Sequence, residues 1–100
     1  MTKLIVFLTK RTDLTRDEFL RYWRDVHGPL GAKMPGVRKY IQNRTTADGA
    51  LFDGIAEMWF DDTAAMQASF GSPESAAAAA DAPNFTAKTQ MMIVEEVEML

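Results

Sequence analysis

The chain opens on an unbroken apolar run, Leu4-Ile5-Val6-Phe7-Leu8, closed by Lys10-Arg11. So short and branched a run suits a strand better than a helix, and a strand apolar on both faces needs cover on both. Helix-start signals follow. Thr15 and Glu18 have the spacing of a capping box, and Leu14 and Phe19 that of a hydrophobic staple. At about 100° per residue, Phe19, Leu20, Tyr22, Trp23, Val26 and His27 fall within an arc of roughly 160°. Asp17, Glu18, Arg21, Arg24 and Asp25 fall on the other side, so the pattern predicts an amphipathic helix with His27 on its apolar face. Gly28-Pro29 interrupts it, with a further loose turn over Leu30 to Met34.

Pro35-Gly36 turns the chain into a second strand, Val37 to Arg44, with period-two alternation and polar tips. Thr46 to Gly49 reads as a hairpin loop. Phe52 to Phe60 is the third strand, again largely apolar on both faces through Ile55, Ala56, Met58 and Trp59. Asp61 or Asp62 caps a second helix through Met66 and Phe70 that stops at Gly71. Ser72-Pro73-Glu74 starts a short helix, and the run Ala76 to Ala80 predicts that it packs tightly. Met91 to Val97 reads as the last strand. The order β-α-β-β-α-β is the ferredoxin-like arrangement: one α+β domain over residues 1–100, a four-stranded antiparallel sheet with helices on one face. Two helices leave the other face bare, and the simplest cover is the same sheet of a second copy, a homodimer.

Composition agrees with one globular domain: 100 residues, 47% hydrophobic and 25% charged. The net charge of −3, with Arg16, Arg21 and Arg24 interleaved among acids, offers no footprint for nucleic acid. The absence of cysteine removes disulfides, thiolate catalysis and Cys-held metals, and fits a cytoplasmic protein. No apolar stretch has the length to span a bilayer, and the start lacks a signal-peptide pattern.

Candidate chemistry is sparse. His27 is the single histidine. Facing the sheet one turn after Trp23, it is available as a neutral base; the competing reading is a histidine that caps its own helix end. Tyr40, on a strand that the helix should cover, is its natural companion as proton donor or oxygen anchor, or else a structural tyrosine. Tyr22, Trp23, Trp59, Phe70 and Phe85 could wall a substrate pocket or could simply be core. No metal, nucleotide or hydrolase motif is present, so neither metal nor cofactor is expected.

Tyr22-Trp23-Arg24-Asp25-Val26-His27-Gly28-Pro29-Leu30 resembles the YWxxxHGPL motif of EthD-like proteins. The segment Pro35 to Tyr40, the strand Phe52 to Phe60 and Asn84-Phe85 fit the same pattern, so the resemblance covers nearly the whole chain. It implies a dimeric α+β barrel, with a pocket between each subunit's own sheet and helices toward which His27 points. The group includes proteins linked to ether degradation and fungal polyketide dehydratases. A similar methylisomerase of methylmuconolactone uses a histidine and a tyrosine that match His27 and Tyr40, but also cysteines, which this chain lacks.

The leading expectation is therefore a cofactor-independent lyase or isomerase acting on a small carbonyl-bearing, aromatic or polyketide-like compound. His27 would shuttle the proton and Tyr40 would hold the oxygen. One alternative is an oxidising barrel enzyme, a monooxygenase that is cofactor-free or carries haem on His27. Another is a non-catalytic small-molecule binding or accessory protein.

Overall fold

The computed structural model describes every residue except Asp48. The hairpin loop expected over Thr46 to Gly49 includes that residue, which lies outside the described ones. In chain order the elements are β1 (Thr2–Lys10), α1 (Arg16–Tyr22), a π-helical turn (Trp23–His27) and α2 (Gly28–Ala32). After these come β2 (Lys39–Arg44), β3 (Gly54–Phe60), α3 (Thr63–Phe70), α4 (Pro73–Asp81), a short 3₁₀ turn (Ala82–Asn84) and β4 (Thr86–Glu95). The sheet runs β2-β3-β1-β4 with every neighbouring pair antiparallel, the ferredoxin-like β-α-β-β-α-β fold.

The helix starts follow their local chemistry. Thr15 and Glu18 form the reciprocal capping box, Asp62 accepts from the Ala65 N–H at 2.7 Å, and Ser72 accepts from the Ser75 N–H at 3.1 Å. Strand ends, by contrast, are set by partners. β4 was expected over Met91 to Val97, yet it begins at Thr86 and stops at Glu95. Thr2, the first residue of β1, pairs with Glu95, and Lys10, the last, pairs with Thr86. The polar stretch Thr86 to Gln90 is thus drawn into the ladder by β1, and at the other end the ladder stops at the Thr2–Glu95 pair. β3 likewise starts at Gly54, because the Asp53 carboxylate accepts the Lys10 N–H at 2.7 Å and the Asp53 N–H donates to Leu8 O at 2.9 Å.

Alternation sorts the sheet into two faces. Leu4, Leu8, Ala56, Met58 and Phe60 are buried under the helices, against Phe19, Trp23, Met66 and Phe85. Ile5, Phe7, Ile55 and Trp59 occupy the opposite face. There Lys3 pairs with Glu57, and Lys3 and Lys39 lie 4.7 and 4.9 Å from the centre of the Trp59 ring.

The Trp23 indole lies directly on the strand at Gly54, where a Cβ would stand 2.4 Å from its Cζ3 and 2.7 Å from its Cη2. Trp23 is wholly buried and has little room to withdraw. Gly54→Ala is therefore expected to lower unfolding stability by about 1–3 kcal/mol in urea titrations. An unchanged midpoint would mean that the ring is not seated on this strand.

Candidate active site

The first helix does not end at Gly28-Pro29. The Gly28 N–H donates to Trp23 O, five residues back, and the helix continues as α2. Proline cannot donate an N–H and crowds the carbonyl four residues before it, so a wider turn at this point relieves the conflict. Trp23 O also accepts from Gln42 Nε2 at 2.9 Å. The extra residue in the turn changes the helical phase. Val26, expected on the apolar face, is 44% exposed, whereas His27 stays inside.

His27 does not cap its own helix. Its Nδ1 lies 2.9 Å from Asp81 Oδ2, at the end of α4, and both side chains are nearly covered. The other oxygen, Oδ1, accepts from the Tyr22 hydroxyl at 2.5 Å and from Asn84 Nδ2 at 3.1 Å. Burial pushes the Asp81 carboxyl upward, but the bonds from Tyr22, His27 and Asn84 outweigh it and hold the group below its ordinary value. The carboxylate in turn pushes the Tyr22 phenol up, and burial adds to this. An ionised carboxylate only accepts, so Nδ1 carries the imidazole hydrogen and the neutral ring keeps its lone pair on Nε2. Among the described residues, Nε2 has no hydrogen-bond partner.

The lowered carboxyl has a stability consequence. Its contribution is fully present above the unfolded value near 3.8 and drains away as pH falls through the lower folded value. In denaturant titrations from pH 5 down to pH 2, the stability gap between the wild type and Asp81→Asn is expected to shrink. A gap that stays constant would mean that Asp81 is not ionised in the fold.

His27 borders a cavity of about 270 Å³ between the helix-side face of the sheet and the helices. The volume is just below the roughly 300–1,000 Å³ usual for ligand sites. Trp23, Tyr40 and Phe70 line the same space, with Leu4, Val6 and Met91 among the apolar remainder. Tyr40 packs beneath α2, where a Cβ on Gly31 would stand 3.0 Å from its ring. Burial pushes the Tyr40 phenol up, partly offset by the Gln42 amide, whose Nε2 lies 3.4 Å from the phenol oxygen. Ala78 and Ala79 of α4 also border the cavity; the alanine run, expected only to pack tightly, leaves room for it as well.

Three residues expected at the pocket wall lie elsewhere. Trp59 is on the other face of the sheet, because the strand period sends it opposite to Met58 and Phe60. Phe85 is fully buried behind the histidine, its ring 4.7 Å from His27 and 5.2 Å from Tyr22. Tyr22 is tied to Asp81 and does not line the cavity. Sequence reasoning missed Asp81 altogether. One signal was present: a carboxylate in the last turn of a helix opposes the helix dipole and calls for compensating donors. Among the described residues, no three His, Asp or Glu side chains cluster as a metal site.

Residues 11–89 match the family model described as the EthD domain. No curated protein matches the chain. Among solved structures, the chain is similar to an ethyl tert-butyl ether D (EthD) family protein from Bacillus halodurans. The two are 30% identical with a TM-score of 0.85, over 97% of this chain and 99% of the other. It also shares its fold with a dimeric ferredoxin-like protein of unknown function from Thermobifida fusca, at 18% identity and TM-score 0.74, covering 93% and 88% of the two chains. The same holds for SnoaB, a cofactor-independent oxygenase from Streptomyces nogalater, at 13% identity and TM-score 0.74, covering 99% and 95%.

Proposed function

We propose that this chain, which belongs to the EthD domain family, is an acid–base enzyme: a cofactor-independent lyase or isomerase for a small carbonyl-bearing compound. The observation that carries the reading is the 2.9 Å bond from His27 Nδ1 to Asp81, on a ring that borders an apolar cavity. Nε2 takes a proton from the carbon next to the substrate carbonyl, and Asp81 stabilises the imidazolium that forms. The electron pair of the broken C–H bond moves onto the carbonyl oxygen as an enolate, beside Tyr40. Return of the proton at another carbon completes an isomerisation; in an elimination the enolate pair re-forms the carbonyl, a C=C bond forms as the β substituent departs with its bonding electrons, and His27 gives that leaving group the proton. The aromatic lining by Trp23, Tyr40 and Phe70 favours a flat, aromatic or polyketide-like skeleton.

Proton exchange tests this before any substrate is known. In D₂O the wild type is expected to speed deuterium incorporation next to the carbonyl of at least one aromatic or polyketide-like ketone, followed by NMR. Ketones that bind without faster exchange would leave a binding protein instead of an enzyme.

A second reading is oxidative. SnoaB shares the fold, and a carbanion formed by His27 in an apolar cavity is an electron donor to dioxygen. That reading predicts oxygen uptake with the exchanging ketone, while a lyase or isomerase consumes none.

We further infer a homodimer through the face that carries Ile5, Phe7, Ile55 and Trp59. The Thermobifida fusca neighbour is described as dimeric. Ile5→Arg would force an unpaired guanidinium into that interface and is expected to give monomers by light scattering. A wild type already monomeric at micromolar concentration would overturn the inference. No helix of the described residues is long and apolar enough to cross a membrane, and a chain without cysteine suits the reducing cytoplasm.

A further inference from the structure

The walls of the cavity differ in exposure. Leu4, Leu8 and Trp23 are buried, whereas Met91 of β4 is 65% exposed and Phe70, the last residue of α3, is 38% exposed. Ala79 of α4 and Thr89 of β4 are exposed as well. All the exposed wall residues belong to β4 and to the helices α3 and α4, so the cavity opens to solvent between that strand and those helices.

Beyond this mouth the apolar surface continues. β4 is an edge strand, and directly opposed residues of an antiparallel pair share a face. Met91 stands opposite Val6 and Ile93 opposite Leu4, both of them cavity residues. Ile93 is 59% exposed. The strip over Met91 and Ile93 leads away from His27, whose ring lies 4.7 Å from Phe85, next to the first residue of β4.

We propose that this strip is the outer part of the substrate site: the cavity holds the reacting ketone, and Met91 and Ile93 carry an extended apolar substituent of the same molecule. This rests on the reading of the cavity as a substrate site and assigns the class of substrate that it takes. The enclosed space, about 270 Å³, is small for a whole ligand. Met91 belongs to both surfaces, so a molecule longer than the cavity leaves it over Met91. Among the described residues, no Lys, Arg, Asp or Glu lines the cavity or its mouth. A carboxylate or phosphate would enter without a countercharge at a cost that an apolar group avoids. The substrate class is thus an uncharged ketone with an apolar chain or ring beyond its reacting end.

Phenyl ketones of growing chain length, namely acetophenone, butyrophenone and octanophenone, test this on the full-length protein. Each added CH₂ is expected to tighten binding about twofold, as for a group only partly removed from water, and roughly fiftyfold over the series. NOEs should connect the terminal methyl of octanophenone to the Met91 and Ile93 side chains. Both positions are exposed on an edge strand that tolerates charge, so Met91→Glu and Ile93→Glu should fold. Met91→Glu is expected to shrink the span to about fivefold, because a charge there must be desolvated by the chain. Ile93→Glu should weaken only the step beyond butyrophenone. Equal affinities across the series, the same span in the wild type and both variants, or binding of none of the three would overturn the strip. Deuterium exchange tests the acid–base reading separately: faster exchange of acetophenone with no effect of chain length would keep that reading and remove the strip. Chain-length dependence without faster exchange would do the reverse. A flat series together with a lower mass for Ile93→Glu in light scattering would give the strip to a second copy of the chain instead.

Discussion

Replacing His27 by glutamine is expected to slow ketone exchange by roughly 10²–10⁴-fold, the range that a positioned acid–base group supplies. Glutamine is uncharged and of similar reach, so the fold should survive and the loss should fall on the rate and not on ligand affinity. Asp81→Asn should cost about 10²-fold or more for a different reason. Tyr22 and Asn84 both donate to Oδ1, which keeps that atom an acceptor and turns the new amide NH₂ toward His27. Nδ1 must then accept, the ring hydrogen moves to Nε2, and the base is blocked. If Asp81→Asn exchanged at the wild-type rate while His27→Gln did not, His27 would act without an orienting carboxylate.

Phe85→Ala should be the most destabilising single truncation near the site, at about 3–5 kcal/mol. The ring is fully buried and stands 5.4 Å from Phe19, 5.2 Å from Tyr22 and 4.7 Å from His27, so its removal opens a hole that three rings border. That loss is a large part of the roughly 5–15 kcal/mol that holds a domain together. Phe70, 38% exposed at the cavity wall, should cost far less on the same truncation. Urea midpoints for the two variants decide the matter, and a Phe85→Ala cost below about 1 kcal/mol would mean that the region collapses to fill the space.

Much of this was legible in the residues, and the reasons differ by element. The capping box at Thr15, the caps at Asp62 and Ser72 and the stop at Gly71 are local signals, and the structure contains each of them. The ends of β4 were not legible, because they are dictated by where β1 begins and ends. His27 on the inner face followed from helical spacing, but the π turn that exposes Val26 arises from Pro29 acting on an earlier carbonyl, which a regular period cannot show. Trp59 was grouped with the pocket aromatics on residue type, although strand alternation alone separates it from Met58. Asp81 is 54 positions from His27, and only the folded chain brings them together.

The most direct measurement is the tautomer of His27, resolved by ¹H–¹⁵N long-range correlation NMR. The single histidine makes the spectrum unambiguous. At a pH where the ring is neutral, the account predicts hydrogen on Nδ1 and a bare Nε2 in the wild type, reversed in Asp81→Asn. A wild-type ring with its hydrogen on Nε2 would contradict it, because no base would then face the cavity.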